Sequence, residues 1–286
     1  MTSSGPNQWS TSERAQRAFS ETVDPAAYVP REATESALTQ IQTWAGEDGL
    51  GSTVAALVAR PGLGKTFLLR TFEALLAGGS PTIDGNRRAL YLPYAGLSIT
   101  DLTVWIYGLL GRPIHLPDLA EDPAAALRAL FVLADGSEGS PFILLLDDAD
   151  SLPPETIQVL TQGLPRNNSP VRILMALNDD AKASRLLAAL DSLRPCLVPL
   201  LKAMRESETQ RYIHARMQWA GLEAAEIAHL DPATINKVHA LSGGIPRRVH
   251  MIAASFLESG TEGLPSELGE KERRENWMGQ PIEDDF

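Results

Sequence analysis

Residues 53–66 read Thr53-Val54-Ala55-Ala56-Leu57-Val58-Ala59-Arg60-Pro61-Gly62-Leu63-Gly64-Lys65-Thr66. Val54 to Val58 form a short apolar run with β-branched residues, which predicts a buried strand. Arg60-Pro61-Gly62-Leu63-Gly64 break the run, because proline and glycine turn the chain sharply. Lys65-Thr66 follow, and Phe67-Leu68-Leu69-Arg70-Thr71-Phe72 begin a helix. Strand, glycine loop and helix in this order make an anion cradle, since loop amides and the positive end of the helix point at one spot. Gly62 and Gly64 let the backbone close on that spot with no Cβ in the way.

This is the setting in which a Walker A sequence has meaning. Arg60, Pro61, Gly62, Leu63, Gly64, Lys65, Thr66 and Phe67 are therefore expected to bind the phosphates of ATP. Lys65 would reach the β- and γ-phosphates, and the Thr66 hydroxyl would ligate Mg²⁺. The pattern has glycine where this chain has Ala59. Alanine fits there if its φ is negative.

A second motif lies downstream. Phe142-Ile143-Leu144-Leu145-Leu146 is an uninterrupted apolar run, as expected for a strand covered on both faces, and it ends in Asp147-Asp148-Ala149-Asp150. This is a Walker B arrangement, in which Asp147 would hold Mg²⁺ through water. Asp148 would act as general base on the attacking water. It is one methylene shorter than the glutamate usual there, which bears on hydrolysis rate more than on binding. Val171–Leu177 predicts a further strand ending at Asn178, which is either a γ-phosphate sensor or a turn former. Arg172 reads as a charge at the start of that strand.

Around these motifs the chain alternates. A helix from Glu32 to Trp44 would bury Ala37, Leu38, Ile41 and Trp44. Tyr28 to Arg31, including Val29 and Pro30, would either line the purine pocket or simply lead into that helix. Ala89–Leu92 predicts another strand, and Asp101–Leu110, Ala124–Ala134 and Pro153–Leu164 predict helices. Together these specify a three-layer parallel α/β sheet of the P-loop NTPase kind, with its ligand at the C-terminal strand ends. From Pro199 the chain reads as helical, forming a small all-α lid through Glu206–Ala220, Asp231–Gly244 and a last helix opened by Pro246. Arg247 and Arg248 place cations in a first turn, against the helix dipole, so an anionic partner such as nucleotide phosphate is expected. The resulting division is a polar, mobile tail over 1–20, a nucleotide-binding domain over 21–200, a lid over 201–258 and an acidic tail over 259–286. That last tail reads as a disordered or partner-binding arm, with Trp277-Met278 as a docking anchor.

Composition narrows the function. The chain has 286 residues, 44% hydrophobic and 21% charged, as in a soluble globular protein. It has no run of about 18 apolar residues and no signal peptide, so a cytoplasmic location without membrane insertion is expected. Cys196 is the single cysteine and reads as a small buried hydrophobe. The five histidines show no metal-ligand spacing. A net charge of −11 argues against a protein that coats nucleic acid broadly, while leaving room for a local basic strip.

Taken in order, these motifs resemble an AAA+ ATPase over about residues 19–258, and more narrowly the group containing the ExeA/GspA secretion ATPases and the TnsC/TniB transposition regulators. The carriers are Asp24-Pro25, Val29-Pro30-Arg31, Gly62-Leu63-Gly64-Lys65-Thr66 and Leu146-Asp147-Asp148-Ala149-Asp150. Later come Tyr212-Ile213-His214-Ala215-Arg216-Met217 with Ala220-Gly221, and Ser242-Gly243-Gly244-Ile245-Pro246-Arg247-Arg248. The resemblance implies ATP-dependent homo-oligomerisation into a ring or filament, with Arg185 or Arg194 completing a neighbour's site. It also implies that Arg247 is a sensor 2 residue. The transmembrane and peptidoglycan-binding parts of the full secretion ATPase have no counterpart in the sequence. The expected function is an oligomeric Mg-ATP-hydrolysing switch that assembles on or regulates a partner complex. The alternatives are a nucleotide-gated scaffold with little hydrolysis, and a DNA-bound transposition regulator, which the acidic balance disfavours.

Overall fold

All five residues of Phe142–Leu146 are buried in the computed structural model, so the uninterrupted apolar run does form a strand covered on both faces. The structure describes residues 10–46, 51–78, 88–113, 122–133, 141–164, 169–200, 202–228 and 230–259. Contacts divide the chain into two units, Thr22–Ala203 and Met1–Glu21 with Met204–Phe286.

The first unit carries five parallel strands: β1 (Val54–Ala59), β2 (Arg88–Leu92), β3 (Phe142–Leu146), β4 (Val171–Asn178) and β5 (Cys196–Pro199). Their order across the sheet is β2-β3-β4-β1-β5. Ala59 pairs with Asn178 and Leu146 with Met175, which brings the ends of β1, β3 and β4 to one rim. Helices α2 (Glu32–Gly46) and α3 (Lys65–Ala77) pack on one face of the sheet. Helices α4 (Ile99–Leu109), α5 (Pro123–Leu133), α6 (Pro154–Gly163) and α7 (Ala181–Ala189) cover the other, where Leu102, Ile106, Leu127, Leu160 and Leu186 meet Val54, Leu144 and Ile173. Adjacent strands β1 and β4 therefore lead into helices on opposite faces. Their carboxyl ends diverge into a crevice, the place where ligands bind in open α/β sheets.

Ala37, Leu38, Ile41 and Trp44 are buried, as their helical spacing predicts. One reading in this unit is extended and one corrected. Arg172 does sit at a strand's start, as the second residue of β4, but its side chain is buried, 4% exposed, and its Nη1 donates to the Trp44 carbonyl. Near the C-terminal end of α2 a cation is favoured by the helix dipole, and that offsets its burial. Cys196, expected to be buried, is only half-buried, because it opens a four-residue edge strand, β5.

The second unit is helical. Its elements are α1 (Thr11–Phe19), α8 (Glu206–Trp219), α9 (Ala224–Ile227), α10 (Pro232–Ser242) and α11 (Pro246–Ser259). Phe19, Ile213, Met217, Val238, Val249 and Phe256 form its core. From Thr11 the expected polar tail is thus a helix with its last turn in this core. Ser10 and Glu13 close a reciprocal capping box at its start, with Ser10 N donating to Glu13 Oε2 at 2.7 Å. At its end the guanidinium of Arg216, 1% exposed, donates to the Ala18 carbonyl at 2.8 Å and the Ser20 carbonyl at 3.3 Å. The Gly243-Gly244 pair has a structural reason as well. Gly244 lies at φ 69°, and a Cβ there would stand 2.1 Å from the Met204 carbonyl oxygen.

Residues 260–286, with the acidic stretch and Trp277, lie outside the described residues, as do His115 and His229. Among the described residues no helix is long and apolar enough to cross a membrane.

Candidate nucleotide-binding site

The glycine loop sits where β1 ends and α3 begins. Gly62 and Gly64 have φ of 82° and 100°, values that a side chain would strain. Gly64 is also the residue capping α3, so no side-chain acceptor is supplied there to its first-turn amides. Ala59 is the last residue of β1 and is fully buried. It is not among the described non-glycine residues with positive φ, so alanine in place of glycine carries no backbone strain. Leu63 is buried at the centre of the loop, while Arg60 and Pro61 are exposed at its tip. Thr66 and Phe67 are half-buried in the first turn of α3.

Lys65 points back over the end of β1. Its side chain is 8% exposed, and Nζ donates to the Ala59 carbonyl at 3.3 Å and to Asn178 Oδ1 at 2.7 Å. Asn178 Nδ2 in turn donates to Asp150 Oδ2 at 3.1 Å. The sheet order brings these groups together, since Asn178 ends β4 beside Ala59 and Asp150 lies in a short turn after β3. The other oxygen of Asp150, Oδ1, is buried without a hydrogen-bond partner.

Asp147, 3% exposed, directly follows β3. Its Oδ2 accepts from the Tyr91 hydroxyl at 3.0 Å and its Oδ1 from the Asp148 amide at 3.1 Å. Burial, followed by the neighbouring Asp147 charge, pushes the Tyr91 phenol above its ordinary pKa, so it stays a donor. The Tyr91 ring lies under the Arg70 guanidinium, 4.6 Å from its centroid, and Arg70 pairs with Glu73 on α3. Asp148 is exposed and adopts a left-handed conformation at φ 46°, which aspartate tolerates better than most residues.

The lead-in to α2 also meets this loop. Tyr28 stacks on Phe67 with ring centroids 6.0 Å apart, and Arg31 Nη2 donates to the Leu63 carbonyl at 3.0 Å. Val29 is half-buried and Pro30 exposed between them. Burial and the Glu35 contact raise the Tyr28 phenol above its usual range. Among the remaining candidates, Arg185 is exposed on α7, and Arg194 is exposed at φ 49° in the turn before β5. Arg247 lies in the first turn of α11 in the second unit, where Nε meets Glu21 at 3.2 Å with both side chains well exposed.

Three contributors escaped the sequence reading as individual residues: Arg31 on the loop carbonyl, Tyr91 on Asp147, and Asp150 on Asn178. The sequence signal for Tyr91 is a lone hydroxyl among the apolar residues of a strand, where a buried phenol needs a partner.

The donor set suits a magnesium–nucleotide. A buried ammonium lies at the end of β1, a buried carboxylate follows β3, a hydroxyl stands in the first turn of α3, and an unpaired carboxylate oxygen lies in the turn after β3.

No family model matches the chain, and no curated protein matches it significantly. Solved structures do resemble it. Cdc6p of Pyrobaculum aerophilum superimposes with a TM-score of 0.64 at 17% identity, over 84% of this chain and 63% of that one. The ORC2 protein of Aeropyrum pernix, in ADPNP–ADP complexes, gives 0.56 at 17% identity over 85% and 66%. A Walker-type ATPase of Pyrococcus abyssi gives 0.51 at 13% identity over 79% and 67%. The chain spans less than two thirds of the length of the first two. At these identities the likeness establishes the fold, a three-layer α/β P-loop fold of the AAA+ kind with a C-terminal helical region.

Proposed function

We propose that the protein is an AAA+ ATPase that binds and hydrolyses Mg-ATP and works as a homo-oligomeric switch on a partner complex. One observation carries the reading: Lys65, Asn178 and Asp147 stand at the ends of β1, β4 and β3, around the crevice that the strand order opens. The nucleotide complexes of the ORC2 protein, which shares this fold, support it.

The loop from Arg60 to Phe67 binds phosphate through its amides, and Lys65 supplies a buried positive charge to the β- and γ-phosphates. Thr66 and Asp147 would hold Mg²⁺. When bound, the ion neutralises charge on the phosphate oxygens. Tyr91 holds the Asp147 carboxylate in one orientation. Asp148 accepts the proton of the attacking water at a carboxylate oxygen. Val29 and Pro30 border the base. Arg247 is kept as the sensor 2 candidate that the resemblance implies, and Arg185 or Arg194 is offered to a neighbouring copy. The motif series from Asp24-Pro25 to Arg248 supports a place near the secretion-assembly and transposition-regulator ATPases, with a cytoplasmic location.

A steady-state hydrolysis assay across a protein concentration series tests this reading, with Lys65→Ala as control. Specific activity that climbs with concentration and vanishes in the variant is the expected result. Equal turnover by Lys65→Ala would reject it. A second reading, a nucleotide-gated scaffold with little turnover, is favoured by Asp148, which is short and held in a left-handed turn. Tight ATP binding with turnover flat at the control level would select it.

A further inference from the structure

The side-chain amide of Asn178 stands between a group that can only donate and a group that can only accept. Lys65 Nζ lies 2.7 Å from Oδ1, and Asp150 Oδ2 lies 3.1 Å from Nδ2. An ammonium has no acceptor and an ionised carboxylate has no donor, so this arrangement fixes the amide's direction. The opposite flip would set NH₂ against NH₃⁺ and a carbonyl against a carboxylate.

We propose that Asp150 is a positioning residue that locks Asn178 with its oxygen toward Lys65, making Asn178 the anchor of the lysine ammonium rather than a donor to nucleotide phosphate. The inference rests on the nucleotide-binding reading and deepens it. It assigns a task to the third acid of Asp147-Asp148-Ala149-Asp150 and changes the one expected for Asn178. The fold alone gives Asp150 little reason to be charged. One of its oxygens is buried with no hydrogen-bond partner, an arrangement that costs stability. The other is spent on Asn178, across the boundary between the β3 and β4 ends. Holding the ammonium in place before phosphate arrives spares the site the ordering of a long, flexible side chain on binding.

The signs of the expected effects separate this from simple electrostatics. Removing an acid near a phosphate site should strengthen anion binding by relieving repulsion. Here Asp150→Ala should weaken it, because Asn178 is freed to turn and its oxygen is no longer held toward Lys65. The expected loss in affinity for ATP, read by calorimetry on the 286-residue chain, is about tenfold, the scale of one hydrogen bond to a charged group. The melting temperature of the ligand-free variant should not fall, since an unpaired buried carboxylate oxygen leaves with the side chain.

A charge-swapped pair supplies the second arm. Asn178→Asp alone faces one carboxylate with another and should cost about tenfold or more in affinity. Asn178→Asp combined with Asp150→Asn gives both contacts a donor and an acceptor again, the second with its direction reversed, and should bind ATP within about threefold of the wild type. Asp150→Ala binding ATP as well as or better than wild type would overturn the proposal, as would a swapped pair no better than Asn178→Asp. Wild-type protein that binds no ATP would reject the nucleotide reading and this inference together. Wild-type binding with additive variants would reject the inference alone.

Discussion

Arg31 donates from Nη2 to the carbonyl of Leu63 at 3.0 Å, so a buried guanidinium ahead of α2 holds the middle of the glycine loop from behind. A loop whose carbonyls are tied back can turn its amides toward one anion. Without that tie the loop must be ordered at the moment of binding. Arg31→Ala should weaken ATP binding about tenfold, on the scale of a hydrogen bond from a charged donor, and Arg31→Lys should fall between. Calorimetric titration checks this, and unchanged affinity in Arg31→Ala would mean that the loop keeps its shape unaided.

Tyr91→Phe removes a single hydroxyl, the donor to Asp147 Oδ2. The Asp147 carboxylate then loses one of its two fixed hydrogen bonds. ATP binding without magnesium should be unchanged. The magnesium concentration needed for half-maximal enhancement of binding should rise about fivefold, equivalent to a hydrogen bond of about 1 kcal/mol. A shift in magnesium-free binding would instead point to general damage at the site.

Phe19→Ala tests whether α1 is part of the helical unit. Phe19 is 5% exposed and packs edge-on against His250 at 6.0 Å. Deleting a buried phenyl ring costs about 3 kcal/mol or more. Denaturant unfolding should show that loss, whereas a loosely attached segment would give a change within about 0.5 kcal/mol.

His250 gives the protein an acid-side sensitivity. Burial, then the nearby Arg216 charge, lowers its pKa from 6.5 to about 3, and Tyr212 shares a hydrogen bond with its Nε2 at 2.8 Å. The folded state thus holds the ring neutral while the unfolded chain takes up a proton. Its contribution is complete above pH 6.5 and is lost progressively as pH falls toward 3. The melting temperature of the wild type should drop between pH 7 and pH 4 by more than that of His250→Gln, which cannot titrate. Parallel pH profiles would contradict the assignment.

What the sequence revealed and what it hid divide along the range of the interactions involved. The β1–loop–α3 segment and β3 with Asp147 were legible because strand period, glycine placement and apolar runs are written in consecutive residues. The helix at Thr11–Phe19 was not. It has few apolar residues, and its end is held by Arg216, which binds Ala18 from 198 positions away. Arg172 was legible as a charge at a strand's start but not as a buried one, because its partner, the Trp44 carbonyl, lies 128 positions off. β5 was hidden by its brevity and its flanking prolines, since edge pairing with β1 rather than propensity makes it a strand. At the site the pattern repeats. Lys65 and Asp147 follow from motif spacing, while Arg31, Tyr91 and Asp150 act through bonds that only the folded sheet order creates.

The most direct measurement is an equilibrium titration of ATP against the wild-type chain and Lys65→Ala, with circular dichroism to show that both are folded. The account predicts saturable binding by the wild type and a loss of at least about a hundredfold in the variant, because a buried ammonium aimed at the phosphates is removed. Equal binding by the two proteins, or no binding by a folded wild type, would contradict it.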